Sequence, residues 1–417
     1  MDSISQAVFL CGGLGKRLLP ITKNVPKPMV LINDRPFIYF LLKQLSTYGI
    51  KRFLLLTGYL GDQIYDYFGD GKKWGWKISY SNGPVEWETA RRIWEARNLI
   101  DESFLISYSD NFVQIQLEEL YQRWKTNNSI LAAHIFEKKN GNVSMLDDEM
   151  NFLYQNKNDV RQTNQNYVEL GYILAKKEPL LHEMLELEES PNICFSSVIK
   201  KISQKHKLSG VVINDQYHSI SDPIRLELTK KYLKPKRLIL LDRDGTINKK
   251  ARKGKYISKW EQFKFIKKNV DGLKELSSHG FEFIVITNQA GVSTNQIDPI
   301  NLNQIHTRMI KYLNKLNIKI LKIYVSTDHW QSNSFRRKPN PGMLFEASKE
   351  FLFRLDHTFF IGDDPRDCMA AVNAGCGSLF LTNKSKDFVP EPNHHGKDIM
   401  QLVPYILNSF SKFQNNY

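Results

Sequence analysis

The stretch LILLDRDGTIN, residues 238–248, decides the fold of the second half of this 417-residue chain. Four apolar residues run directly into two carboxylates, Asp242 and Asp244, and Gly245 then allows a tight turn. In parallel α/β sheets, ligands bind at the carboxyl ends of the strands. Two carboxylates this close repel each other unless a cation binds or one of them is protonated. The stretch therefore predicts a buried strand leading into a binding site, although a chance turn or a calcium loop would also fit it.

Three further apolar segments end in polar residues, as expected if several strands deliver side chains to one edge of a sheet. These residues are Thr287 and Asn288 in VITNQAG, Arg337 and Lys338 in RRKPNPG, and Asp363, Asp364 and Asp367 in FFIGDDPRD. Taken singly, each has a simpler interpretation. Lys338 could be a surface lysine, and Asp367 could cap the helix that follows it.

Together, the order DxDGT, then Thr, then Lys, then GDxxxD resembles the haloacid dehalogenase superfamily of phosphatases over about 150 residues. The resemblance implies that Asp242 is the nucleophile that forms an aspartyl-phosphate. It implies that Asp244 protonates the leaving oxygen and then activates water. Thr287 and Asn288 would hold the phosphoryl oxygens, and Lys338 would neutralise charge near the nucleophile.

The same resemblance implies a magnesium ion between Asp242, Asp363 and the backbone carbonyl of Asp244, because a shell of oxygen ligands suits that cation. Arg337 would contact substrate. The intervals between the motifs fit one helix and one strand each, so we expect no large cap domain and an open site. Basic residues of the loop KKARKGKYISKW, 249–260, could then meet a second phosphate.

Within the superfamily, DRDGTIN, TNQAG and RRKPNPGM resemble the branch of D-glycero-D-manno-heptose 1,7-bisphosphate phosphatases and histidinol phosphatases. Members of that branch often carry a zinc loop with three cysteines and a histidine before RKP. Here Thr327, Ser334 and Arg336 stand at the cysteine positions, and only His329 remains. One histidine cannot provide four ligands, so we predict no structural zinc.

A different loop, CGGLGKRLLPITKNVPKPMV, follows an apolar segment near the start of the chain. Its glycines would let backbone N–H groups approach an anion, and two cations follow them. The pattern is neither GxGxxG nor GxxxxGK[ST], because a lysine directly follows the third glycine. The candidate anion-binding residues of this segment are Gly12, Gly13, Gly15, Arg17 and Lys27.

The pattern GGxGxRLxPxT followed by PKP resembles the sugar-1-phosphate nucleotidyltransferases. Their reaction joins a sugar 1-phosphate to the α-phosphorus of a nucleoside triphosphate and releases pyrophosphate, which depends on positioning and charge neutralisation. By this resemblance the loop and Arg17 hold the triphosphate, and Lys27 contacts the reacting phosphates. Asp110, after FLISYSD, binds magnesium, and Glu169, in YVELGYIL, contacts the sugar.

This half of the chain also departs from the family pattern. WETARRI places Glu88 at the glycine of LGTxxA, and SISDP places Ser219 at a second metal aspartate, with Asp222 three residues later. Asp222 could substitute only if the loop is rearranged. These departures leave open a second interpretation, in which only the phosphatase is active and the N-terminal domain senses a nucleotide or a sugar phosphate.

Apolar segments alternate with helical ones in both halves, which predicts α/β architecture throughout. By resemblance, the N-terminal domain has the Rossmann-like mixed sheet of nucleotidyltransferases, similar to the GT-A fold. The C-terminal domain has a parallel Rossmann-like sheet of the haloacid dehalogenase type. We expect domains at 1–232 and 238–385, a linker at 233–237, and a final loop and helix at 386–417.

Composition narrows the function further. No signal peptide or membrane span is evident, and the four scattered cysteines fit a reducing compartment, so we expect a cytoplasmic protein with no membrane insertion. A net charge of +14 would suit nucleic acid, but no nucleic-acid-binding motif accompanies it, and lysine-rich surfaces or phosphate sites also explain it. We therefore predict a bifunctional, magnesium-dependent enzyme of nucleotide-sugar synthesis for surface polysaccharides. It would act on sugar phosphates and a nucleoside triphosphate.

Overall fold

The computed structural model describes residues 4–139, 141–155, 166–185, 192–252, 254–382 and 390–415. The chain forms two compact units, Met1–Lys230 and Lys231–Tyr417. The finer boundaries expected at 232, 238 and 385 stay predictions.

The first unit is built on a mixed sheet. Its strands are β1 Gln6–Leu10, β2 Leu31–Ile32, β3 Arg35–Pro36, β4 Arg52–Thr57, β5 Lys77–Asn82, β6 Ser103–Tyr108, β7 Asn111–Phe112, β8 Leu131–Glu137, β9 Val143–Met145, β10 Phe152–Tyr154, β11 Tyr167–Lys176, β12 Leu208–Ile213 and β13 His218–Ser219. Its helices are α1 Phe37–Thr47, α2 Asp62–Phe68, α3 Thr89–Glu95, α4 Leu117–Thr126, α5 Lys177–Glu183, α6 Phe195–Gln204 and α7 Pro223–Leu233, the last of which ends beyond Lys230.

Within the described residues, nine of these strands form one sheet, in which β1 is central and fully buried. β1 runs parallel to β4 and β6, and β4 runs parallel to β5, whereas β11 is antiparallel to β6 and β8. The carboxyl ends of these parallel strands lie along one edge. The glycine-rich loop follows β1 there, and Asp110 follows β6. The predicted Rossmann-like mixed sheet is confirmed.

Within the part of the second unit that the structure describes, six parallel strands form one sheet in the order β16-β15-β14-β17-β18-β19. The strands are β14 Leu238–Leu241, β15 Glu282–Asn288, β16 Ile320–Ser326, β17 Phe359–Gly362, β18 Gly377–Leu381 and β19 His394–Gly396. The helices are α8 Lys267–Ser278, α9 Pro299–Lys315, α10 Gly342–Phe351, α11 Pro365–Asn373 and α12 Ile399–Asn415.

The LILL segment forms β14, which lies between β15 and β17 and is buried on both faces. Ile239 and Leu241 pack into one hydrophobic core, and Leu238 and Leu240 pack into the other. A strand covered on both faces needs a continuous apolar run, which explains why this sequence does not alternate. The predicted parallel sheet without a large cap domain is confirmed for the described residues. Within the same ranges, no helix combines the length and the apolar character that crossing a membrane requires.

Candidate active sites

The centre of the second unit is an ion cluster around Lys338. The Nζ atom of Lys338 lies 2.6 Å from Oδ1 of Asp242 and 2.7 Å from Oδ1 of Asp367, and it donates to the carbonyl of Ile286 at 2.9 Å. All three charged side chains are buried. The amine therefore ties together the loop after β14, the strand β15 and the first turn of α11.

Burial controls the charge of the predicted nucleophile. It raises the pKa of Asp242 to about 6, and Asp367 acts in the same direction, whereas Lys338 opposes both. Burial also acts to lower the pKa of Lys338, but the two carboxylates outweigh it and raise that pKa. Lys338 is therefore protonated, and Asp242 is ionised at neutral pH.

The Asp244 carboxylate is held in place by three donors, two from its own loop and one from the residue that follows β15. Its Oδ2 atom accepts from Arg243 at 2.7 Å and from Gln289 at 2.8 Å, and its Oδ1 atom accepts from Asn248 at 2.8 Å. Burial acts to raise the pKa of Asp244, but the Arg243 charge and these hydrogen bonds lower it. Arg243 is itself fully buried, and its Nη1 atom lies 2.9 Å from Nε2 of His306, on α9.

Burial lowers the pKa of His306 to about 3, with the Arg243 charge acting in the same direction. His306 is therefore neutral, and its Nε2 atom can accept a hydrogen bond from the guanidinium. A chain of contacts consequently runs from α9 through Arg243 to the carboxylate of Asp244. Sequence reasoning missed Arg243 and Gln289, although both lie inside the motifs that were quoted.

The two residues predicted to hold phosphoryl oxygens differ in what they contact. Thr287 is buried, borders the cavity described below, and accepts from Gln289 at 2.9 Å. Asn288 donates to the carbonyl of Lys338 at 2.9 Å and accepts from its N–H at 3.1 Å. The Asn288 amide therefore fixes the backbone of the lysine, which sequence reasoning did not anticipate.

The carboxylates of Asp242, Asp363 and Asp367 each present an oxygen, and these oxygens lie within 4.8 Å of one another. Oδ1 of Asp363 is buried without a hydrogen-bond partner among the described residues, while Oδ2 lies 2.8 Å from the amine of Lys250. Burial raises the pKa of Asp363 to about 6, and Lys250 opposes the shift. The donor set fits a hard divalent cation such as magnesium.

Gly245 makes this arrangement possible. It has φ +98°, and a Cβ atom there would lie 2.0 Å from Oδ2 of Asp363. Only glycine tolerates both the conformation and the contact.

Both interpretations proposed for the GDDPRD segment hold in part. Asp364 is the N-cap of α11 and accepts from the N–H of Arg366 at 3.0 Å. Asp367, at the third helical position, accepts from the N–H of Asp364 at 3.1 Å and also contacts Lys338. Asp367 thus completes a capping box and belongs to the ion cluster.

These residues border a cavity of about 490 Å³. Four cationic residues also line it, namely Lys250, Arg252, Lys255 and Arg366. Sequence reasoning anticipated the basic loop but missed Arg366, which lies within the acidic motif.

Arg337 is not among the lining residues, and its guanidinium donates to the carbonyl of Asp328 at 3.1 Å. Its substrate contact stays a prediction. His329 accepts from the N–H of Gln331 at 3.3 Å.

The first unit has its own cavity, of about 730 Å³, at the carboxyl ends of β1 and β6. Of the predicted residues, six line it, namely Gly12, Gly13, Gly15, Arg17, Lys27 and Asp110. The amine of Lys27 lies 2.5 Å from Oδ2 of Asp110, which joins the PKP segment to the end of β6. The structure thus brings together two segments that are 83 positions apart.

The three glycines of the loop serve different purposes. Gly15 has φ +63°, a left-handed conformation that favours glycine. Gly13 is exposed, and a Cβ atom there would meet nothing within 4 Å. Gly12 is buried against the side chain of Arg92, a residue that sequence reasoning missed although it lies within the WETARRI segment.

Glu169 is buried and is not among the residues that line this cavity. One of its carboxylate oxygens accepts from the N–H of Gly171. Burial raises the pKa of Glu169 to about 7, and the Gly171 hydrogen bond opposes this shift. Its predicted contact with a sugar stays a prediction.

The structure shows where the residues that depart from the family pattern lie. Glu88 borders the cavity, and its N–H donates to Asn192 at 2.9 Å. Ser219 pairs with Asn111, immediately after Asp110. Asp222 accepts from the N–H of Arg225 at 2.9 Å and is not a lining residue, so it does not take the place of a second metal ligand in this arrangement.

Comparisons with known proteins agree with this division. The family model "Nucleotidyl transferase" matches residues 6–145, and "Polynucleotide kinase 3 phosphatase" matches residues 237–389. The D-glycero-alpha-D-manno-heptose 1-phosphate guanylyltransferase of Campylobacter jejuni is 39% identical over 115 residues, which is 28% of this chain and 52% of that protein. The chain spans about half the length of the curated nucleotidyltransferases and related proteins that match its first unit.

For the second unit, the D-glycero-beta-D-manno-heptose-1,7-bisphosphate 7-phosphatase of Escherichia coli K12 is 32% identical over 180 residues, covering 42% of this chain and 89% of that protein. A solved D,D-heptose 1,7-bisphosphate phosphatase from B. bronchiseptica, complexed with magnesium and phosphate, is 24% identical. It covers 41% of this chain and 98% of its own, with a TM-score of 0.38. Through its second unit the chain therefore belongs to the family of the heptose-bisphosphate 7-phosphatases, and an N-terminal nucleotidyltransferase domain is fused to it.

Proposed function

We propose that the chain is a cytoplasmic enzyme with two activities. The second unit removes one phosphate from a sugar bisphosphate, for which D-glycero-D-manno-heptose 1,7-bisphosphate is the first candidate. The first unit then transfers a nucleotidyl group from a nucleoside triphosphate to the resulting sugar 1-phosphate and releases pyrophosphate. The observation that carries the proposal is the buried cluster of Asp242, Lys338 and Asp367 beside Asp363.

In the phosphatase step, Lys338 holds Oδ1 of Asp242, so we assign the attack to Oδ2. This oxygen bonds to phosphorus while the bond from phosphorus to the sugar oxygen breaks. Because the Arg243 charge and the hydrogen bonds lower the pKa of Asp244, this carboxylate must first take up a proton from solvent before it gives that proton to the sugar oxygen. Asp244 then takes a proton from water, which attacks the aspartyl-phosphate, releases inorganic phosphate and restores Asp242. Magnesium, held by Asp242, Asp363 and the backbone carbonyl of Asp244, with Asp367 as a further candidate, would neutralise charge on the transferred group.

The cationic lining of this cavity supports a substrate with two phosphates. Lys250, Arg252, Lys255 and Arg366 border the cavity around the reacting carboxylates. One phosphate occupies the site beside Asp242, and the second would meet these cations. The heptose assignment rests on the similarity of the second unit to the D-glycero-beta-D-manno-heptose-1,7-bisphosphate 7-phosphatase of Escherichia coli.

For the nucleotidyl step, Gly13, Arg17 and Lys27 would contact the triphosphate, and Asp110 would bind magnesium. All four border one cavity. The sugar phosphate oxygen would attack the α-phosphorus, and the bond between the α-phosphorus and the bridging oxygen of the leaving pyrophosphate would break. Glu169, with a pKa of about 7, lies close enough to this cavity to influence its charge.

The test uses the full chain, heptose 1,7-bisphosphate, magnesium and each of four nucleoside triphosphates, with phosphate and pyrophosphate resolved by ³¹P NMR. We expect both products. Asp242→Asn should abolish phosphate release from the bisphosphate but preserve pyrophosphate release when heptose 1-phosphate is supplied, and Asp110→Asn should do the reverse. Phosphate release that persists in the Asp242→Asn variant would contradict the proposed nucleophile.

A second candidate is a phosphatase whose first unit only senses a ligand. The observations in its favour are Ser219 and Glu88 at positions where the family carries an aspartate and a glycine, and the engagement of Asp222 with Arg225. Nucleotide binding without pyrophosphate release for any sugar 1-phosphate would support it. Faster turnover of histidinol phosphate than of the heptose substrate would instead redirect the phosphatase assignment.

A further inference from the structure

Arg92 is a buried cation beneath the glycine-rich loop of the first unit. It lies on α3, and only 4% of its surface is exposed, yet it borders the cavity that Gly12, Gly13 and Arg17 also line. Buried arginines normally pair with carboxylates. Among the described residues, no carboxylate lies within ion-pair distance of this guanidinium.

The acceptors of Arg92 are neutral backbone carbonyls at the ends of three parallel strands. Nη1 donates to Thr57 at 2.6 Å, and Nη2 donates to Pro84 at 2.7 Å. Longer contacts of 3.4 Å reach Gly83 and Gly12. One side chain thus links the segments that follow β1, β4 and β5.

Two glycines give the guanidinium its space. A Cβ atom at Gly12 would lie 2.2 Å from Cζ of Arg92, and a Cβ atom at Gly58 would lie 2.8 Å from its Nη atoms. The glycine at position 12 is therefore explained by packing against Arg92, whereas Gly13, beside it, is exposed and open.

The direction of the Gly12 carbonyl determines the direction of the N–H group of Gly13. This carbonyl accepts from Arg92 and from the N–H of Tyr59 at 3.2 Å, so it points towards the protein. In a trans peptide the C=O and the following N–H point in opposite directions. The N–H of Gly13 therefore points away from Arg92, and Gly13 itself is one of the residues that line the cavity.

Among the described residues, no carboxylate forms an ion pair with Arg92, and the charges of Glu88 and Glu86 act on it only from a greater distance. Burial lowers its pKa, but an arginine remains protonated at neutral pH. A buried positive charge whose hydrogen-bond acceptors are carbonyl groups, at the wall of a cavity, favours a negatively charged occupant.

We propose that Arg92 is a positioning residue of the nucleotidyltransferase site: it orients the glycine-rich loop from beneath, and its charge stabilises the bound polyphosphate. This inference rests on the proposed nucleotidyl function of the cavity. Because the guanidinium is occupied by carbonyls, its effect on the ligand acts through the loop and through its charge. The ligand class is a nucleoside triphosphate or another polyphosphate.

The test compares Arg92→Met, Arg92→Lys and Arg91→Met in the full chain. Arg91 is the matched control, because it lies next in sequence, pairs with Glu95 and does not line the cavity. Calorimetric titrations use ATP, GTP, CTP and UTP with magnesium, and the four corresponding nucleosides. We expect Arg92→Met to weaken triphosphate binding by about tenfold or more and nucleoside binding by less than about twofold. Arg92→Lys should keep most of the triphosphate affinity.

A purely structural role would weaken nucleoside and triphosphate binding alike, and that result would overturn the inference. If Arg92→Met does not fold, as judged by circular dichroism, then a tenfold loss of triphosphate affinity in a folded Arg92→Lys variant would overturn the role of the charge. Wild-type chain that binds no triphosphate would overturn the proposed function and this inference together. Wild-type binding that Arg92→Met leaves unchanged would overturn the inference alone.

Discussion

The two cavities neutralise their buried cations in opposite ways. In the second unit, Lys338 lies within 3 Å of two carboxylates, whereas in the first unit the hydrogen-bond acceptors of Arg92 among the described residues are carbonyl groups. A site that forms a covalent bond to its own carboxylate must keep that carboxylate and its counterion in the protein. A site that only binds and orients an anion can leave its positive charge for the ligand. If the proposed functions hold, a buried cation paired with a carboxylate marks the site that forms a covalent bond, and a buried cation without such a partner marks the site that binds an anion reversibly.

The largest effect is expected when Lys338, the cation that is paired with carboxylates, is removed. Lys338→Met leaves Asp242 and Asp367 buried together without a counterion, so the free energy of unfolding of the second unit should fall by about 3–5 kcal/mol. Urea denaturation of the full chain, followed by circular dichroism, measures it.

The control is Lys322→Met, because Lys322 forms an exposed pair with Glu350 and both side chains are more than 40% exposed. That change should cost less than about 1 kcal/mol. Equal costs for the two variants would mean that the Lys338 cluster contributes nothing special to stability.

The next prediction concerns pH, because burial raises the pKa of two carboxylates of the second unit, Asp242 and Asp363. Asp242 and Asp363 both have a pKa of about 6, and a cation needs them ionised. Protons therefore compete with magnesium below pH 6, and magnesium affinity should fall by about ten- to hundredfold between pH 7 and pH 5. Calorimetric titration of magnesium into the full chain measures the change.

Asp363→Asn provides the control, since the amide does not titrate. This variant should bind magnesium more weakly at pH 7 and show a shallower dependence on pH. A wild-type affinity that is constant from pH 7 to pH 5 would contradict the raised pKa values.

The smallest effect concerns the contact between α9 and Asp244. His306→Ala removes the acceptor of the buried Arg243 guanidinium, so Asp244 should be less well oriented. We expect kcat of the phosphatase to fall by about tenfold with KM nearly unchanged. Steady-state kinetics measures both constants, with His279→Ala as the control, since His279 is a half-buried residue at the C-cap of α8. An increase in KM alone would indicate that His306 affects substrate binding instead.

Much of the second unit was predictable, because its functional residues lie in short motifs directly after buried strands. Asp242, Thr287 and Asp363 follow from that local pattern, and the parallel order of β14, β15 and β17 brings them together. Lys338 lies in the loop between β16 and α10 and was identifiable from the RRKPNPG motif instead. The double role of Asp367 was not predictable. Capping α11 is a local property, whereas its ion pair with Lys338 depends on a loop that is 29 positions earlier in the sequence.

In the first unit, local sequence patterns identified only part of the site. The glycine-rich loop and the PKP segment were identifiable, but nothing near Arg92 in the sequence indicates that it reaches three strand ends. A cation whose partners are backbone carbonyls carries no complementary side chain that a motif could reveal. The same holds for Glu169, whose pKa depends on burial by residues distant in sequence.

The three partners of the Lys338 amine have a practical consequence for chemical labelling. The side chain of this lysine is only 4% exposed, and its amine is held by a strand carbonyl and two carboxylates from separate elements. Acylating reagents that modify the many surface amines of this basic chain would spare it while the second unit remains closed. The rate at which Lys338 is acylated would therefore report the rate at which the second unit unfolds locally. Mass spectrometry would measure this rate, with the other lysines of the same molecule as the reference.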